Sequence, residues 1–227
     1  MSFVVTPAPQ VSLPVAGSSD RFPVRRVYCV GRNYAEHAKE MGHDPNKEPP
    51  FFFQKNPDNV TTSGEMPYPA LTGNLHHEIE LVVALKSGGV DIAAAQALDH
   101  VYGYAVGLDM TRRDLQNKAK DMGRPWEVGK AFELSAPMTA IHSAVEIGHP
   151  AKGAIWLKVN GAVKQQGDLS DLIWNVPDTI AYLSTLFRLA PGDLIMTGTP
   201  AGVAAVKKGD VMEGHVDGVA DLRVVVV

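Results

Sequence analysis

The chain has 227 residues, 45% of them hydrophobic and 20% charged, with a formal net charge of −4. That length buries a sizeable core as one domain, or one domain with a short arm, and the composition lies far from that of disordered chains. The charge balance gives no reason to expect nucleic-acid binding, the apolar runs are strand-length rather than membrane-spanning, and the lone Cys29 excludes an internal disulfide framework.

No basic stretch followed by an apolar one opens the chain, so no secretory signal is read and a cytoplasmic protein is expected. Residues 1–24 carry Pro7, Pro9, Pro14 and Pro23 and read as an extended arm with at most edge pairing. Residues 25–227 read as one domain. Within it, 25–30 is a short apolar strand that Gly31 ends. Residues 33–41 have helical spacing, with Tyr34, Ala38 and Met41 on one stripe. Residues 42–50 are polar and carry Pro45, Pro49 and Pro50, so 33–50 reads as an excursion from the core, a candidate lid. Phe51-Phe52-Phe53 returns the chain inward.

The run 75–85 reads as a strand, and its part from Leu81 to Leu85 shows no polar alternation, which predicts burial on both faces. A second apolar run covers 101–110. A helix is expected after Asp109, with Thr111 near its start and Gly123 and Pro125 ending it. Further strands are expected at 154–159, 194–197 and 222–227, with Asn160-Gly161 as a hairpin turn. Residues 177–189 read as a helix, stopped by Ala190-Pro191-Gly192-Asp193. The fold class is α+β, strand-rich with few helices, rather than a doubly wound sheet.

Glu78 and Glu80 stand two apart in the run 75–85, so as strand residues they share a face. Carboxylates crowded together raise at least one pKa unless a cation intervenes, and divalent metals take such oxygen ligands. Asp109, in the second apolar run, is a third candidate. The competing reading makes the glutamates the solvated face of an edge strand.

His37 and Glu40 lie three apart on the expected 33–41 helix, where a carboxylate can orient an imidazole as a base; a solvated helix face is the alternative. Arg113 and Gln116 are also three apart, and an Arg there could grip a substrate carboxylate or form a surface ion pair. Lys130, between apolar stretches, could stay charged beside a metal site or lower its pKa and shuttle protons. The turn Thr197-Gly198-Thr199-Pro200-Ala201-Gly202 could hold an anion on hydroxyls and amides. Cys29 reads as core rather than nucleophile. His77 should face away from both glutamates.

These pieces together resemble the fumarylacetoacetate hydrolase superfamily from Val27 to the end. The carriers are Gly31-Arg32-Asn33-Tyr34-Ala35-Glu36-His37, His77-Glu78-Ile79-Glu80, Leu108-Asp109-Met110-Thr111-Arg112-Arg113-Asp114-Leu115-Gln116, Gly129-Lys130-Ala131-Phe132 and Thr197-Gly198-Thr199-Pro200-Ala201-Gly202-Val203. The resemblance, to the short members, implies a mixed β-roll or β-sandwich with short helices, usually a homodimer. It implies that Glu78, Glu80 and Asp109 bind Mg²⁺, or Mn²⁺ or Ca²⁺ in its place. His37 and Glu40 would be a base dyad on the lid, with Lys130 beside the metal. Arg113, Gln116 and Thr199 would hold the carboxylate or oxo oxygens of a small 2,4-dioxo acid, whose C3–C4 bond is hydrolysed.

Stretches 21–30, 41–44 and 49–53 look most like the members that split 3-fumarylpyruvate in gentisate breakdown. Such a substrate has a second carboxylate, for which Arg32 or Lys55 could supply the cation. Lys55-Asn56-Pro57 departs from the family pattern, in which many members have Pro directly after the Lys. Rival readings are a decarboxylase acting on oxaloacetate, another acylpyruvase, and a non-catalytic dimer clamped by the metal.

Overall fold

Because residues 81–85 are apolar on both faces, this run becomes the middle of the molecule. The strand Ile79–Leu85 is buried at every position. It pairs antiparallel with Val101–Leu108 on one side and with Asp193–Met196 on the other. Leu81, Val83 and Leu85 enter one hydrophobic cluster, while Val82 and Ala84 enter a second on the opposite face. That two-sided burial is what an unbroken apolar strand needs. The arrangement is seen in a computed structural model that describes residues 2–36 and 49–227.

The central sheet has six strands in the order His142–Ser143, Val101–Leu108, Ile79–Leu85, Asp193–Met196, Arg26–Gly31 and Phe51–Lys55. It is mixed, since Asp193–Met196 and Arg26–Gly31 run parallel and the other neighbours antiparallel. A second sheet has the order Ala162–Asp168, Ala154–Val159, Val211–Val216, Ala220–Val226 and Glu65–Met66. The first cluster joins both sheets, with Leu81 and Val83 from one and Ile155, Leu157 and Val224 from the other. Ile180 and Leu183 of the helix Val176–Leu186 complete it. The strand-rich α+β expectation therefore holds, with helices that are few and short among the described residues. None of them is long and apolar enough to cross a membrane.

The structure departs from the sequence reading in four places. The run 75–85 is two strands, Leu75–His76 and Ile79–Leu85, separated by His77 and Glu78. The interruption arises because His77 N–H turns to Ala204 O at 3.3 Å and Met110 N–H turns to Ser135 O at 3.0 Å. The helix expected near Thr111 starts only at Arg113 and runs to Asp121, because Thr111 and Arg112 first pair with His76 and Leu75.

The helix Val176–Leu186 begins where the Asn175 side chain accepts the Asp178 N–H. It stops three residues before the expected 189, because Phe187 is extended and its ring packs 5.3 Å from that of Tyr28. Residues 2–10 of the expected arm are exposed, but the rest folds back on the domain. Ser12–Pro14 pairs with Arg21–Pro23, and Leu13, Val15, Phe22 and Val24 are buried in the second cluster. Alternate apolar residues on two short strands explain this docking. Of the helix expected over 33–41, Ala35 and Glu36 are helical and 37–41 lie outside the described residues.

Asn160 and Gly161 form the expected turn, with φ of 52° and 78°, the left-handed pair that a tight hairpin turn uses. Lys158 and Val159 pair with Val163 and Ala162 across it.

Candidate active site

The strand alternation that sends Val82 and Ala84 to the second cluster sends Glu80 and Glu78 to the same face. Asp109 reaches that face from the neighbouring strand's end, where its N–H donates to Glu78 O at 2.8 Å. All three acids are buried, and one carboxylate oxygen from each lies within 4.8 Å of the others. The solvated-edge reading of the glutamates is excluded by that burial.

Three protein cations face two of the three acids, Glu78 and Asp109. Lys130 Nζ, on the short helix Glu127–Lys130, donates to Glu78 Oε2 at 2.7 Å and to Asp109 Oδ2 at 2.6 Å. Arg113 pairs with Glu78 Oε1 through Nη2. Lys55 Nζ lies 2.9 Å from Asp109 Oδ1. Burial alone lowers the pKa of Lys130, but Asp109 and Glu78 more than offset it and the ammonium is held above its ordinary value. Of the two readings of Lys130, the geometry matches the one that stays charged.

Glu80 is the odd member. Gly198 N–H donates to its Oε2 at 2.7 Å, but no Lys or Arg bridges to it among the described residues. Burial, then the Asp109 and Glu78 charges, push its carboxyl well above the usual carboxylate range, and the Gly198 amide recovers only part of this. A buried carboxylate left in that condition calls for a further cation. Three hard oxygen donors within 4.8 Å of one another suit a divalent ion of the Mg²⁺ or Mn²⁺ kind. Gly198 has to be glycine here: its φ is +99°, and a Cβ would fall 2.8 Å from Asn33 Cβ.

A cavity opens over these groups. Arg32, Arg113, Gln116, Lys120, Lys130 and Thr199 line its polar side, and Phe51, Phe53 and Trp126 its aromatic side. Arg113 Nη1 donates to Gln116 Oε1 at 2.5 Å, so the expected helical pair exists, and both residues are buried rather than on the surface. Arg32 stands over the Phe51 ring at 5.1 Å. Its neighbour Asn33 ties the segment down, donating to Thr197 O at 2.8 Å and to Trp174 O at 2.9 Å.

Among the alternatives for a second substrate carboxylate, the structure separates Lys55 from Arg32. Lys55 is fully buried at the end of its strand and donates to Met110 O, Lys130 O and Ser135 Oγ besides facing Asp109. Its protons are committed to the interior, and it does not line the cavity. Lys120 does, and the sequence reading missed it. The signal was present in the spacing, because 113, 116 and 120 follow the i, i+3, i+7 stripe of one helix face.

Of the turn 197–202, where an anion is expected, the Gly198 N–H meets the chain's own Glu80. His77 faces away from the acids as expected and meets Gln165 Oε1 at 2.8 Å through Nδ1; burial lowers its pKa. Cys29 is buried and its thiol is raised well above normal, first by burial and then by Asp109, which fits its reading as core. His37 and Glu40 lie outside the described residues.

The family described as "Fumarylacetoacetate (FAA) hydrolase C-terminal" matches residues 26–227. A fumarylpyruvate hydrolase from Ralstonia sp is 46% identical over 190 residues, covering 81% of this chain and 95% of its own. The mitochondrial oxaloacetate tautomerase FAHD1 of Rattus norvegicus is 43% identical over 199 residues, covering 88% and 90%. A crystal structure of fumarylpyruvate hydrolase from Pseudomonas aeruginosa in complex with Mn²⁺ and pyruvate is 55% identical, with a TM-score of 0.97 over 100% of this chain and 99% of that one.

Proposed function

Because this chain belongs to the fumarylacetoacetate hydrolase family and is a hydrolase of that superfamily, we propose that it splits 3-fumarylpyruvate and water into fumarate and pyruvate. The reaction would belong to aromatic catabolism by the gentisate route. Glu78, Glu80 and Asp109 would hold the divalent ion, Mg²⁺ or Mn²⁺ or Ca²⁺. As the resemblance implies, the enzyme would act as a homodimer.

The charge count of the site carries this reading. Three protein cations, Lys55, Lys130 and Arg113, equal the three buried carboxylates in number, though all of them bridge to Glu78 and Asp109 and none to Glu80. A divalent ion then brings an excess of two positive charges into a low-dielectric site. A 2,4-dioxo acid, which can present a carboxylate and an enolate oxygen together, supplies the matching two negative charges. The neighbour 55% identical to this chain holds Mn²⁺ and pyruvate, one of the two products of the proposed reaction.

A divalent ion bound there would polarise the carboxylate and 2-oxo oxygens and offset the charge that develops as the C3–C4 bond breaks. Lys130, held charged, fixes the orientation of Glu78 and Asp109. Arg113 and Gln116, locked to each other, and Thr199 present donors to the substrate oxygens. His37, with Glu40 as the partner the resemblance implies, would take a proton from the water that adds to the C4 carbonyl. The C3–C4 electrons pass to C3, which is protonated to give pyruvate, and C4 leaves as the carboxyl of fumarate. Residues 33–50 would close over the site and exclude bulk water. Arg32 and Lys120 face the second carboxylate.

The relatives named oxaloacetate tautomerases favour one second reading, in which the same groups enolise or decarboxylate oxaloacetate. Turnover of fumarylpyruvate, acetylpyruvate and oxaloacetate, measured side by side with Mg²⁺ and Mn²⁺, decides between them. Fumarylpyruvate is expected to react fastest. Conversion of oxaloacetate alone would overturn the fumarylpyruvate reading. The metal-clamped, non-catalytic alternative is set aside, since the chain is an enzyme of its superfamily.

A further inference from the structure

Thr199 lines the cavity, and directly behind it lies Gln165, which does not. Gln165 is 1% exposed and spends its whole amide on four partners. Its Oε1 accepts the Ile79 N–H at 3.1 Å and faces His77 Nδ1 at 2.8 Å. Its Nε2 donates to Pro200 O and to Thr199 Oγ1, each at 2.8 Å.

The orientation of this amide is dictated from both ends. A backbone N–H only donates, so the atom facing Ile79 is the oxygen; a backbone carbonyl only accepts, so the atom facing Pro200 is the nitrogen. Two consequences follow. His77 carries a hydrogen on Nδ1, because it meets an acceptor there. Thr199 Oγ1 receives a hydrogen from Gln165, so its own hydroxyl hydrogen is left for another acceptor. No such acceptor for the Thr199 hydroxyl lies among the described residues, and the side chain stands at the cavity wall.

We propose that Gln165 is a positioning residue that commits the Thr199 hydroxyl as a donor toward the carboxylate or oxo oxygen of a bound 2-oxo acid. His77 stands behind it and keeps the amide from turning over. This rests on the functional reading above. It adds a polarity to the cavity wall: because Gln165 Nε2 donates to Thr199 Oγ1, the hydroxyl hydrogen is free to be offered outward, so the site presents a donor to an oxygen acceptor at that point. The competing account is that Gln165 only ties the start of the Ile79–Leu85 strand to the 197–202 turn.

Calorimetric titration of the Mn²⁺-loaded enzyme with pyruvate, alongside its melting temperature, separates the two. Loss of one hydrogen bond to an anionic ligand amounts to about tenfold in affinity, so Thr199→Val should weaken pyruvate binding about tenfold and Thr199→Ser should not. Gln165→Leu should weaken it by a similar factor, and the double variant should be no weaker than either single one. Losses that multiply, or a Gln165→Leu protein that melts earlier yet binds pyruvate as the parent does, overturn the proposal. Should Gln165→Leu fail to fold, Gln165→Glu tests the same point, because it keeps the acceptor toward Ile79 and His77 and removes the donor toward Thr199. Unchanged pyruvate binding in Thr199→Val overturns the proposal without any Gln165 variant. A parent enzyme that does not bind pyruvate overturns instead the functional reading beneath it.

Discussion

Glu78 stands directly opposite Asp109. The pairs Ile79–Leu108 and His76–Thr111 share one antiparallel register that passes through them, and the Asp109 N–H donates to Glu78 O at 2.8 Å. Like charges opposed across two strands destabilise a sheet. Here the Lys130 ammonium sits between them, 2.7 Å from one and 2.6 Å from the other. The geometry that would be a fault in an ordinary sheet is the frame of the site.

The first expectation concerns the metal. Even outer-shell partners of metal ligands are worth about 10–100-fold in affinity, so Glu80→Gln should weaken Mn²⁺ binding by at least about 100-fold in a calorimetric titration. The metal-free variant should melt no earlier than the parent, since the substitution removes a carboxylate crowded by Asp109 and Glu78. Parent-like Mn²⁺ affinity would remove Glu80 from the ligand set.

Lys55 and Lys120 should behave as opposites. Lys55→Met removes the cation at Asp109 Oδ1 and leaves only Lys130 on Oδ2, a loss of up to about 3–5 kcal/mol that urea unfolding would read. Lys120→Met, on the half-buried cavity rim, should change stability by less than about 0.5 kcal/mol. Its effect should fall on KM for fumarylpyruvate, raised about tenfold as for one charge-assisted hydrogen bond, with acetylpyruvate nearly unaffected. Equal losses on both substrates would count against a role in holding the second carboxylate.

His215 should make stability depend on pH. Burial works against its charge, but hydrogen bonds to Asp221 at 2.6 Å and Asp217 at 2.8 Å more than offset this and raise its pKa. A group whose pKa is raised on folding contributes stability fully below its unfolded pKa of about 6.5 and loses it as pH climbs through the folded value. The urea midpoint should therefore fall as pH rises from about 6.5 through that window, and His215→Gln should flatten the fall. A parent profile already flat there would dismiss the linkage.

Cys29 should be inert in the folded enzyme. Its thiol is buried and raised well above its normal pKa, and the thiolate is the reactive form. Labelling by an aromatic disulfide should occur only at the rate of global unfolding, whereas fast labelling with activity retained would contradict the burial.

Much of the frame is readable from short stretches of chain. Residues 81–85 declare a strand buried on both faces, Asn160-Gly161 declares its hairpin, and 113 with 116 declare one helix face. Each depends on neighbours within a few residues, where backbone geometry alone decides which side chains meet. The break at His77 and Glu78 is not declared locally, because it depends on bonds to Ala204 and, across the register, of Met110 to Ser135. The docking of residues 12–24 likewise depends on a cluster completed by Met138 and Leu194.

The same division runs through the site. The sequence by itself determined which residues to look for at one place: the acids Glu78, Glu80 and Asp109, the Arg113–Gln116 pair, and Lys130 and Thr199 in their motifs, all of which gather around one cavity. Only the tertiary structure decided what each charge does. It turned Lys55 inward to Asp109, left Lys120 on the cavity wall, and set Gln165 behind Thr199. Charge in a protein acts through distance and burial, and both are settled by strands that meet from far apart in the chain.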